Sequence, residues 1–184
     1  MSIYNGFGKY GFGYQPFGQP TKPRVFVSYH HANDQWYYNR FSELFSNSYD
    51  ILYDSSVNRK IDSDDVEYQI RRIREDYITG TSITIVLCGV ETYKRKFVDW
   101  EICATLNKQH ALLGINLPTN PANYNGKYVV PARLHENIQS GFAGWIQWDE
   151  NPSYIATAIA GAREKAKTTS LICNGNPTME RNLS

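Results

Sequence analysis

Short apolar runs and stretches of helical spacing alternate along the chain. RVFVSYHH, just after Pro23, is a β-branched and aromatic run that predicts a first strand ending near Tyr29. After a polar loop from His30 to Asp34, the residues Trp36, Tyr37, Phe41, Leu44 and Phe45 recur at helical spacing. They predict a helix from about Asp34 to Phe45, with Asn33 or Asp34 as its N-cap. Tyr49 to Asp54 predicts a second, shorter strand, followed by a polar loop from Ser55 to Asp64. A long helix is expected from about Ser63 to Ile78, capped by Ser63, Asp64 or Asp65. Its apolar stripe is Val66, Ile70, Ile73 and Tyr77.

Ile83 to Cys88 is continuously apolar apart from Thr84 and reads as a fully buried third strand. A basic loop and a third helix follow it. Ala111 to Leu117 predicts a fourth strand stopped by Pro118, and a loop-like segment reaches Gly144 with one short helix near Leu134 to Ile138. Trp145 to Trp148 is a short fifth strand. Asn151-Pro152 then starts a last helix, a cap followed by proline at the first helical position, with Ile155, Ala158, Ile159 and Ala162 on its core face. Repeated strand–helix alternation predicts an α/β fold: a three-layer, flavodoxin-like arrangement with a central, mostly parallel five-stranded sheet and helices on both faces. Ligands of such sheets bind at the strand carboxyl ends where strand order reverses, which directs attention to the residues just after each strand.

The two ends differ from this pattern. Residues 1–22 alternate glycine with Tyr and Phe and read as a flexible arm, with a capacity to contact a partner surface or further copies of itself. Residues 23–168 form the expected domain, and residues 169–184 a polar C-terminal tail that frays after Lys167. A hydrophobic share of 41%, a charged share of 20% and a net charge of +1 describe an ordinary globular chain with no global pull toward nucleic acid or an anionic membrane. No apolar run is long enough to cross a bilayer and the N-terminus has no signal-peptide core, so a cytoplasmic protein is expected. Cys88, Cys103 and Cys173 form no CxxC pair and read as thiols in a reducing compartment.

Four groups follow strands: Ser28 to Asn33, Asp54 to Lys60, Gly89 to Glu101, and Asn116 onward. The first contains no GxGxxG, and nothing resembles a P-loop, so a conventional dinucleotide fold or ATPase is excluded. Asp54 lacks the paired acids that a phospho-acceptor site would place after the first strand. The adjacent His30 and His31 have no Cys, Asp or Glu at ligand spacing, so no metal site is expected, and they remain polar loop residues or ligand contacts. In the third helix Val98, Ile102, Thr105 and Leu106 form the predicted buried face. Glu101 falls at its border, with Phe97 one turn earlier on the same side. Glu101 is then either an edge glutamate paired to Lys94, Arg95 or another basic group, or an acidic cleft residue suited to chemistry.

RVFVSY resembles the opening strand motif of TIR domains, SITIVL their third strand, and FVDWEI the helix motif in which an aromatic precedes a glutamate by four positions. The chain from about Arg24 to Lys167 resembles the bacterial TIR-like branch typified by ThsB of the Thoeris anti-phage defence system. That resemblance implies cleavage of the nicotinamide–ribose bond of NAD, with Glu101 as the catalytic residue and Phe97 lining the nicotinamide side of the pocket. Ser28, Tyr29, His30, Asn33 and Asp54 are the implied substrate-binding residues, from the loops after the first and second strands. NAD would be a substrate, and no cofactor is implied. The ThsB-like likeness implies a cyclic ADP-ribose isomer as product, a messenger that activates a separate effector protein. A constitutive NAD consumer would harm its host, so an inactive resting state is expected. Two departures stand out: Phe97 replaces the frequent Trp, and Ser55 to Asp62 lacks the Pro-Gly of the usual TIR signalling loop. The alternative is a non-catalytic TIR-like adaptor acting through protein contacts. A flavin-binding relative of the flavodoxins is a third reading.

Overall fold

The computed structural model describes residues 22–53 and 65–184. Five strands, β1 (Arg24–Ser28), β2 (Asp50–Tyr53), β3 (Ile83–Cys88), β4 (Ala111–Asn116) and β5 (Gly144–Gln147), form one sheet in the order β2-β1-β3-β4-β5. Each of the four pairings is parallel. The sheet is therefore wholly parallel, where the sequence predicts a mostly parallel one. β3 and β4 lie in its interior and are buried along their whole length, as expected for strands covered on both faces.

Five α-helices cover it: α1 (His31–Phe45), α2 (Val66–Ile73), α3 (Lys96–Asn107), α4 (Ala132–Gln139) and α5 (Pro152–Lys165). α1 and α5 pack Tyr38, Phe41, Phe45, Ile155 and Ile159 on the face formed by Val25, Val27, Ile85 and Leu113. α2, α3 and α4 close the other face: Ile73 and Trp100 meet Phe26, while Val98, Ile102 and Leu134 meet Val86 and Leu112. Burying each of these large side chains stabilises the fold by about 1.5–3 kcal/mol.

Several local expectations are corrected. α1 begins three residues early, at His31, and its N-cap is His30, which makes no side-chain cap bond. Its buried stripe is Asp34, Tyr38, Phe41 and Phe45, whereas Trp36 points outward at 59% exposure and packs edge-on to Tyr37. The helix expected to run to Ile78 changes at Arg74 into one π-helical stretch, Arg74–Ile78, closed by Gly80 at φ 89°. Asp65 is the cap of α2, accepting from the Tyr68 N–H. The tail does not fray after Lys167. A 3-10 turn at Thr169–Leu171 leads into a segment hydrogen-bonded to α3 and α4 through Cys173, Asn174, Met179 and Asn182. Cys88 and Cys103 are buried thiols and Cys173 is partly exposed.

Candidate active site

Strand order reverses between β1 and β3. From β1 the chain steps out to β2, then returns across β1 to lay down β3 on its far side. The loops leaving β1 and β3 therefore part, and α1 and α3 start on opposite faces of the sheet with a crevice between their N-termini. A cavity of about 430 Å³ occupies that position. Tyr29 and His30 come to it from the β1–α1 loop, His31 from the start of α1, and Phe97, Val98 and Glu101 from the first turns of α3. Residues four apart on a helix share a face, so Phe97 and Glu101 stand side by side on one wall.

The opposite wall is built on stacked rings. Tyr29 is nearly fully buried, stacks on Tyr38 with centroids 4.7 Å apart, and packs against the His31 ring at 4.2 Å. Its hydroxyl donates to Gln35 Oε1 at 3.0 Å. This aromatic stack fixes the Tyr29 side chain with one face to the core and its polar tip at the cavity rim. Phe97 packs edge-on against Trp100, and the Lys96 ammonium lies over both rings.

Glu101 is 3% exposed. The sequence places it at the border of a buried face, but in the structure α3 is buried all around from Val98 to Leu106, because α2, α4 and the C-terminal segment enclose it. Its backbone carbonyl accepts the Thr105 hydroxyl, which in turn lies 2.6 Å from the Thr84 hydroxyl of β3, so this turn of α3 is tied to the sheet. Lys94 and Arg95, the expected partners of an edge glutamate, pair instead with Glu91, at 3.5 and 2.9 Å.

Two polar atoms of the cavity-lining residues are buried with no hydrogen-bond partner among the described residues: Nδ1 of His30 and Nε of Arg95. Burial, reinforced by the Arg95 charge, pushes the His30 pKa below its ordinary 6.5 and keeps the imidazole neutral at neutral pH. Below the cavity, Asp34 holds the β1–α1 and β3–α3 loops together. Its amide N donates to the His30 carbonyl, its Oδ2 accepts from Thr92 Oγ1 at 3.1 Å, and Thr92 Oγ1 accepts from the Gly89 N–H. Burial lifts the Asp34 carboxyl to about 6 against the lowering effect of the Thr92 bond. Glu91 is a second tie, taking Asn33 Nδ2 and the Arg95 guanidinium on the same oxygen.

Of the residues singled out in the sequence, Tyr29, His30, Phe97 and Glu101 meet in this cavity. Ser28 lies beneath it at the end of β1, 1% exposed, with its hydroxyl unpartnered among the described residues. Asn33 is exposed and bound to Glu91. Asp54 lies outside the described residues. Sequence reasoning missed Gln35 and Asn182 as lining residues. Gln35 carried a signal in its position near the start of the helix after β1, whereas Asn182 carried none. No group of three or more His, Cys, Asp or Glu among the described residues is placed to hold a metal ion.

The model for the TIR-like domain of the Thoeris protein ThsB matches residues 26–122, more than half of the chain. The chain belongs to the ThsB TIR-like family. The matched stretch runs from β1 past β4 and contains Tyr29, His30, Phe97 and Glu101; α4, α5 and the C-terminal segment lie beyond it. Membership gives the chain a TIR-domain signalling role, and TIR domains are often enzymes that cleave NAD. Among solved structures, the TIR domains of the activated Roq1 resistosome recognizing the pathogen effector XopQ are similar over 83% of this chain and 86% of that one. The identity is 11% and the TM-score 0.39. No curated protein matches the chain. No helix among the described residues is long and apolar enough to cross a membrane.

Proposed function

We propose that this TIR-like domain cleaves the nicotinamide–ribose bond of NAD and makes a cyclic ADP-ribose isomer, a messenger for an effector protein in anti-phage defence. The observation that carries the reading is the convergence of Glu101 and Phe97 with Tyr29, His30 and Arg95 around one cavity at the strand-order reversal. Phe97 offers a flat apolar face to the nicotinamide ring. As the C1′–N bond breaks, its electron pair returns to the pyridine nitrogen, and neutral nicotinamide leaves. Positive charge develops on the ribose, where the Glu101 carboxylate stabilises it and accepts hydrogen bonds from the ribose hydroxyls. The Arg95 guanidinium, which lines the cavity, suits the diphosphate. Capture of the ribosyl cation by water gives ADP-ribose and a proton. Capture by a nucleophile of the same molecule, held nearer than water, gives the cyclic isomer.

Mass spectrometry of the products tests this directly. Purified protein is incubated with NAD, alone and with extract of phage-infected cells. The expected product is lighter than ADP-ribose by one water and appears with nicotinamide in equal amounts. Absence of nicotinamide in both conditions would refute the enzyme and favour an adaptor.

A further inference from the structure

The C-terminal segment is a strap whose far end forms part of the cavity. It is anchored by a buried ion pair between Arg133 of α4 and Asp99 of α3, with Nε to Oδ1 at 2.9 Å and side chains 2% and 9% exposed. The other Arg133 nitrogens donate to Asn174 Oδ1 and to the carbonyls of Asn176 and Pro177. From there the strap follows α3 toward its N-terminus. The Met179 N–H donates to Asp99 Oδ2, the Met179 carbonyl accepts Trp100 Nε1, and the Leu183 N–H donates to the Lys94 carbonyl. Asn182 is thereby set at the cavity mouth beside Phe97 and Glu101.

The first turn of α3 lacks a cap of its own. Arg95 occupies the N-cap position and makes no side-chain cap bond. Asp99, the one acid of that turn, has both carboxylate oxygens committed, to Arg133 and to Met179. A helix start with unsatisfied N–H groups frays, and this one carries Phe97 as its second residue. The missing acceptor comes from the strap: Asn182 Oδ1 takes the Lys96 N–H at 2.9 Å.

We propose that Asn182 is a positioning residue of the cavity, capping α3 in trans so that Phe97 and, one turn on, Glu101 are held where the bound substrate needs them. This rests on the NAD-cleaving function for its catalytic consequence, but not for the cap itself. Only an acceptor at this position is required, so Asp can replace Asn and Ala cannot.

The full chain with Asn182→Ala and Asn182→Asp tests it through two readouts. Backbone amide exchange at Lys96 to Val98 is expected to be about fivefold faster in Asn182→Ala and restored in Asn182→Asp, with the thermal midpoint lowered by no more than about 2–4 °C. Nicotinamide release is expected to lose about tenfold or more in kcat in Asn182→Ala, with KM for NAD little changed and Asn182→Asp recovered. Unchanged exchange in Asn182→Ala would overturn the cap. Faster exchange with unchanged kcat would overturn the positioning role and leave a merely structural bond. A wild-type protein that releases no nicotinamide, with fast exchange in Asn182→Ala, would count against NAD cleavage and leave the cap standing.

Discussion

Asp34 makes a sharp test of the electrostatics beneath the cavity. Its carboxyl is fully buried, one oxygen bonds Thr92, and Oδ1 has no hydrogen-bond partner among the described residues. Burial raises its pKa from 3.8 to about 6. The folded state therefore binds this proton more tightly than the unfolded state. The charged form costs stability above pH 6, and that cost is relieved as pH falls from 6 toward 3.8. Complete relief, reached where both states are protonated, amounts to about 3 kcal/mol, of which about 1.4 kcal/mol falls between pH 8 and pH 5. Asp34→Asn keeps an acceptor for Thr92 and removes the charge. Urea denaturation followed by tryptophan fluorescence, for both proteins at pH 8 and pH 5, isolates the effect of that charge. Other groups, such as His30 and His110 with their lowered pKa values, cancel in the difference. The variant should gain on the wild type by about 1.4 kcal/mol more at pH 8 than at pH 5. A difference independent of pH would refute a buried, titrating Asp34.

Other outcomes follow from the same packing. Arg133→Ala leaves Asp99 buried with only the Met179 N–H and releases the strap, so chemical denaturation should show a loss of about 3–5 kcal/mol. Gly114→Ala would place a methyl 2.6 Å from Trp145 Cε3 and against Leu134, between β4 and its neighbours. The expected cost is about 1–3 kcal/mol of stability, read from the denaturation midpoint. Protonating His30 on acidification below pH 6.5 puts a second cation beside Arg95 and the pyridinium of NAD. Turnover should therefore fall on the acid side, and His30→Gln should flatten that limb of the rate–pH curve. An identical acid limb in His30→Gln would rule His30 out as its source.

The strands are legible because a parallel sheet covered on both faces writes itself as continuous apolar runs, as in Ile83–Cys88, which the structure reproduces residue for residue. The start of α1 is not. Asp34 has the composition of an N-cap, yet its carboxylate is used across 58 positions to bind Thr92, and a contact of that kind leaves no local signature. Periodicity misplaces Glu101 for a related reason. Helical spacing separates one face from its opposite, and α3 has no exposed opposite face because the strap and α4 cover it. The likeness to TIR domains directs attention to Glu101 and Phe97, and the structure puts both on one wall of the cavity. Asn182 is invisible in the sequence, since a polar residue in a polar tail acquires meaning only when Arg133 and Asp99 fix where that tail runs.

In the proposed function the buried Glu101 carboxylate breaks the nicotinamide–ribose bond. Initial rates of nicotinamide release from NAD are compared for the wild type and Glu101→Gln, under the condition that activates the wild type. Gln keeps the size and a hydrogen-bonding oxygen but cannot stabilise a ribosyl cation as a carboxylate does. The rate should fall about a hundredfold or more with the fold intact by circular dichroism. Full turnover in Glu101→Gln would contradict the claim.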